Sequence, residues 1–135
     1  MWIIGYIRNI GHATALAAEL WVIRDGLQTT INLHFNSIIV ETDCYEAYQL
    51  LSTAANLHHP HSTLIMDCKG LLNMIPQVRL RHIFRESNMA TDTMAKKGAH
   101  APDFVILYNC PTDVELLRFA EALNSCPTIF NIFLI

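Results

Sequence analysis

Ser37-Ile38-Ile39-Val40-Glu41-Thr42 is followed directly by Asp43. The run is rich in β-branched residues and too short for a helix, so it predicts a strand that Asp43 closes. Working upstream, His12 to Leu33 has the strongest helical pattern, with Leu16, Leu20, Ile23, Leu27 and Ile31 recurring at spacings of four, three, four and four. Thr14 or His12 begins it and Asn32 lies near its end. At 100° per residue Glu19 falls roughly 60° from Leu16, at the margin of the apolar stripe, where a carboxylate is costly unless it has a partner.

Downstream of Asp43, the residues Glu46, Ala47, Leu50 and Leu51 predict a helix that fades into Thr53-Ala54-Ala55-Asn56. His58 to His61 form a loop. Ser62 to Ile75 reads as a further helix, with Leu64, Ile65, Cys68, Leu71, Leu72 and Ile75 on one side and Pro76 ending it. From Gln77 to Arg85, Val78, Leu80, His82 and Phe84 alternate with Arg79, Arg81 and Arg85, the pattern of a half-buried strand with a basic outer face. A polar break then leads into a helix stopped near Gly98, with Asp92 in its first turn. At the beginning of the chain Trp2 to Ile7 predicts a strand. Beyond Gly98, Ala101 to Pro111 is strand-like but isolated, Asp113 to Leu123 is a short amphipathic helix, and Thr128 to Ile135 is an uncharged apolar tail with the character of an aggregation liability. The order is strand, helix, strand, helix, helix, strand, helix. This alternation places the chain in the α/β class, with a domain over residues 1–100 and a C-terminal extension over 101–135.

The 135 residues are 52% apolar and 16% charged, enough for one core with a thinly charged surface. A formal charge of −3 provides no global attraction for nucleic acid, so any binding has to come from a local cluster. Cys44, Cys68, Cys110 and Cys126 are scattered without a CxxC pair, and no long apolar stretch precedes Arg8. These features predict free thiols and an intracellular setting, nucleus or cytoplasm, without a signal peptide or membrane span. His58, His59 and His61 flank Pro60 with no acid or cysteine at ligand spacing, and they read as a solvated turn rather than a metal site.

Glu19, Asp43 and Asp92 each stand where an element delivers a carboxylate toward one point. Carboxylates brought together repel unless a cation neutralises them, and a hard divalent ion such as Mg²⁺ is the natural partner. Each acid alone also has a structural role open to it: a solvated helix flank, a turn after a strand, a complement to a helix macrodipole. Only their combination in this element order favours a site.

The segment from Val78 to Ala95, with Arg85, Asn88 and Asp92 in order, resembles the signature of plant ribonuclease H-like domains related to retrotransposon reverse transcriptases. Ala17 to Leu27 is similar to their first helix, and Ile39 to Cys44 to their fourth strand. The likeness runs from about Gly5 to Gly98, with a weaker echo at Pro102-Asp103-Phe104 and Thr112-Asp113. It implies a ribonuclease H-like mixed sheet flanked by helices, Mg²⁺ as cofactor, and chemistry on the RNA strand of an RNA–DNA hybrid. Glu19, Asp43 and Asp92 would be the catalytic and metal-holding acids; Arg85, Asn88, Lys96 and Lys97 would contact nucleic acid. Arg79 and Arg81 share the basic face, for which edge-strand protection is the competing role.

The family's first aspartate, within an Asp-Gly pair on a strand ahead of Glu19, has no counterpart here, and neither do the first two strands of its 3-2-1-4-5 sheet. The expectation is therefore a truncated sheet, in which the Trp2 strand re-pairs with the Asn36 strand or packs loosely, and impaired two-metal hydrolysis. Three readings follow: a nuclease-derived nucleic-acid-binding domain inactive alone, an active hybrid endoribonuclease completed by an upstream segment, or a non-catalytic protein-interaction module.

Overall fold

A computed structural model of the chain describes residues 5–8, 13–54, 57–84, 93, 96 and 104–107, the first and last of these segments as backbone only. The elements are β1 (Gly5–Arg8), α1 (Ala15–Asn32), β2 (Ser37–Thr42), α2 (Tyr45–Ser52), α3 (Ser62–Met74), β3 (Gln77–His82) and β4 (Phe104–Leu107). The chain is thus α/β, and β2 has the bounds its β-branched run predicts.

Helix α1 begins where Thr14 caps it, its hydroxyl accepting from the Ala17 N–H at 3.1 Å. It ends in a Schellman turn. His34 adopts the left-handed region at φ 59°, its N–H donates to the Ile31 carbonyl at 2.9 Å, and the Phe35 N–H reaches the Thr30 carbonyl at 3.2 Å. Of the apolar stripe, Leu20, Ile23 and Leu27 are fully buried, while Leu16 and Ile31 pack at the edge of the core. Val22, Asp25 and Gly26 are buried too, so α1 is enclosed on a second face that the stripe alone does not reveal. Trp21 stays at the margin, with the Arg24 guanidinium 5.6 Å from its ring.

Strands β2 and β3 pair in parallel, with Ile38 opposite Val78, Val40 opposite Leu80 and Thr42 opposite His82. Helices α2 and α3 make the crossover between them, as a parallel pair requires. Because side chains alternate along a strand, these pairs share the face that carries the buried Ile38, Val40 and Thr42. The opposite face holds Ile39, Glu41, Arg79 and Arg81. There Arg81 Nη1 lies 3.4 Å from Glu41 Oε1. Burial raises the Glu41 carboxyl above its ordinary range, and the Arg81 charge draws it back. The core is closed by Leu51 and Ala47 of α2, and by Ile65 and Cys68 of α3 with Ile75 behind them.

The expected fate of the first strand is corrected. β1 neither re-pairs with β2 nor lies loose: it forms an antiparallel ladder with β4, Gly5 opposite Leu107 and Arg8 opposite Phe104. Backbone polar groups in a strand need partners, and the isolated apolar Phe104–Leu107 run supplies them. Among the described residues β2 has β3 as its only strand neighbour. No helix among them is long and apolar enough to cross a membrane. Cys44 and Cys68 are free thiols. Cys110, Cys126, the Asp113–Leu123 helix and the apolar tail lie outside the described residues.

Candidate functional site

The C-terminal ends of parallel strands are where α/β sheets place their ligands, because the crossing chains leave a crevice there. In this chain that end carries Thr42 of β2, Asp43 just after it, and His82 of β3. Thr42 is fully buried at the core face, so its hydroxyl needs partners. It donates to Glu19 Oε1 from α1 and accepts from the Cys44 N–H at 3.0 Å. Its carbonyl accepts from the Ile83 N–H at 2.9 Å. A single threonine thereby ties the helix carboxylate to the strand end one residue before Asp43, and answers the cost foreseen for Glu19 at the stripe margin.

The Cys44 thiol registers the same convergence. Burial pushes it above its ordinary value, N–H groups of Ala47 and Glu46 pull it down, and the negative charges of Glu19 and Glu46 add to the upward push. A thiol held protonated in this way is no nucleophile; its value is that it places the Glu19 charge beside residue 44. Glu19 and Asp43 are both half-buried.

His82 completes the strand end. Its Nε2 lies 3.3 Å from the Asp43 carbonyl oxygen, which can only accept, so the proton of that bond sits on Nε2. The ring meets Tyr45 edge-on at 5.3 Å between centroids, and Tyr48 and Phe84 at 6.1 and 6.2 Å.

Of the acids predicted from sequence, then, Glu19 is bonded to Thr42 at the end of β2, and Asp43 follows Thr42 directly in the chain. Asp92 lies outside the described residues, as do Arg85, Asn88 and Lys97. Lys96 is helical and exposed, and Thr93 is helical as well. Among the described residues no group of three or more histidines, cysteines and acids is placed to hold a metal ion. The two acids in place offer carboxylate oxygens, the donor type Mg²⁺ takes. The histidine loop is a turn in which the His61 N–H donates to His59 Nδ1 at 3.1 Å.

Thr42 and His82 were not among the sequence candidates. Thr42 had a visible signal, since it shares parity with Ile38 and Val40 and so carries a hydroxyl onto the core face. His82 had only a partial one: it shares the face of Val78 and Leu80, but its place beside Asp43 depends on the register between β2 and β3.

The family model described as reverse transcriptase-like matches residues 2–98. A protein of Arabidopsis thaliana, named as a candidate ribonuclease H protein, is 33% identical over 110 residues, which cover 77% of this chain and 18% of that protein. This chain therefore spans about a fifth of that relative's length. No solved structure matches. The match over most of the chain establishes that the chain belongs to the reverse transcriptase-like family of ribonuclease H-like domains.

Proposed function

We propose that this chain binds nucleic acid, an RNA–DNA hybrid above all, at the strand end formed by Glu19, Thr42, Asp43 and His82, and that residues 1–135 alone do not cleave it. The observation that supports the reading is the buried Thr42 hydroxyl, which holds the Glu19 carboxylate at the end of β2, one residue before Asp43 in the chain. A buried polar bond between elements 23 residues apart has a defined geometry that a solvated glutamate does not need.

Glu19 and Asp43, with Asp92 by the family resemblance, would hold Mg²⁺, which supplies activation of a water and stabilisation of the leaving oxygen in phosphodiester hydrolysis. Thr42 orients Glu19. His82, fixed through Nε2, places its imidazole at the edge of the site. Arg85, Asn88, Lys96 and Lys97 are the proposed contacts to the nucleic acid. The proposed deficit is one carboxylate: no aspartate or glutamate precedes Glu19 in the sequence.

A second reading is favoured by the strand arrangement. Among the described residues β2 pairs only with β3, so a further strand bearing an acid could complete both sheet and site, making an active hybrid endoribonuclease. Gel assays of a labelled hybrid with Mg²⁺ separate the two. Binding without cleavage supports the first; cleavage lost in Asp43→Asn supports the second.

A further inference from the structure

Beside the acids lies a surface that metal chemistry does not use. Tyr45 and Tyr48, one turn apart on α2, face each other at 6.2 Å with their planes 28° apart. His82 meets both rings, and Phe84 meets His82 at 73°. The four rings form a continuous strip. Phe84 is 75% exposed and Tyr45 55%, while His82 is exposed and Tyr48 half-buried. Large rings left in water in one connected group mark an interaction surface.

We propose that Tyr45, Tyr48, His82 and Phe84 form a stacking platform for the unpaired bases of a single-stranded nucleic acid passing beside Asp43. The proposal rests on the reading above for its class of ligand and adds which part of that ligand is held. Three observations select the occupant. The strip is joined to the acid pair by the bond between His82 Nε2 and the Asp43 carbonyl, so whatever lies on the rings also reaches the site. The acids on either side of Cys44 and Tyr45 in the chain, Asp43 and Glu46, repel phosphate, so attraction has to come through base faces rather than the backbone. Finally, a duplex hides its base faces in its own stack, whereas every unpaired base offers a π-face to an aromatic ring. The preferred ligand is therefore a single strand, or the single-stranded arm where a hybrid ends.

The test uses the full 135-residue chain, Mg²⁺, and fluorescence anisotropy with labelled oligothymidine and oligouridine of about 12 nucleotides, alongside a blunt RNA–DNA hybrid of equal length. Phe84→Ala and Tyr45→Ala are each expected to raise the Kd for the single strands by about fivefold or more, with Tyr45→Phe retaining wild-type affinity and the blunt hybrid unaffected. Phe84 is the most exposed of the four, so its removal spares the core. Single-strand binding that is absent, or unchanged in both alanine variants, or weakened in step with the hybrid, overturns the platform. Ring-dependent single-strand binding in a chain that ignores hybrid leaves the platform standing and removes the hybrid reading instead.

Discussion

Thr42 carries more of the site than its size suggests, because one buried hydroxyl serves two half-buried partners. Replacing it with valine keeps the shape of β2 but removes the hydroxyl that donates to Glu19 and accepts from the Cys44 N–H. Thr42→Val is expected to lose about 1–3 kcal/mol of stability in urea unfolding and to weaken Mg²⁺ binding measured by calorimetry. An unchanged metal affinity would separate Thr42 from the site. Cys68 acts at the same scale on the core. Its thiol is fully buried, donates to the Leu20 carbonyl at 3.4 Å, and burial pushes it up to about 12 from 9.0. At neutral pH the thiol is protonated in both folded and unfolded chains and contributes no pH dependence. Above about pH 9 the unfolded thiol releases its proton while the folded one keeps it, so stability falls by about 1.4 kcal/mol per pH unit until about 12. Unfolding at neutral pH and near pH 10 is expected to show a steeper alkaline loss for the wild type than for Cys68→Ala; equal slopes contradict this. Glu19 could be read from sequence as an acid needing a partner. Which partner could not, since Thr42 lies 23 residues away and the contact depends on how α1 packs on β2.

At the scale of elements, local chemistry accounts for most boundaries. Thr14 starts α1, the β-branched run makes β2, and Pro76 follows the end of α3. The end of α1 is less economical. His34 sits at φ 59°, a conformation that costs an ordinary residue about 1–2 kcal/mol, in a turn that glycine usually fills. His34→Gly relieves that cost and gives back about 0.5–1 kcal/mol in chain entropy, so a small net rise in Tm is expected by calorimetry. A fall in Tm would show that the His34 side chain contributes more than its backbone costs. The pairing of β1 with β4 was not legible, because both strands are short, nearly 100 residues apart, and neither pattern names its partner. The parallel register of β2 with β3, which brings His82 level with Thr42, escaped for the same reason.

For the whole molecule, the α/β class follows from the alternation of elements, and the functional end of the sheet follows from topology. A parallel pair joined by a helical crossover opens at its carboxyl ends, and Thr42, Asp43 and His82 all arrive there. The net charge of −3 offers no general pull on a polyanion. Under the proposed function, binding would depend on local groups: a metal held by the acids, the proposed basic contacts, and the aromatic strip. In that proposal Glu19, Asp43 and Asp92 would suit metal binding better than the two-metal clamp that hydrolysis uses, whose ions stand about 3.5–4 Å apart and share a carboxylate. The central claim is tested most directly by incubating residues 1–135 with an end-labelled RNA–DNA hybrid and Mg²⁺, and following retention and cleavage on parallel native and denaturing gels. Retention of the hybrid with no RNA cleavage is the predicted result; Mg²⁺-dependent cleavage that Asp43→Asn abolishes would contradict it.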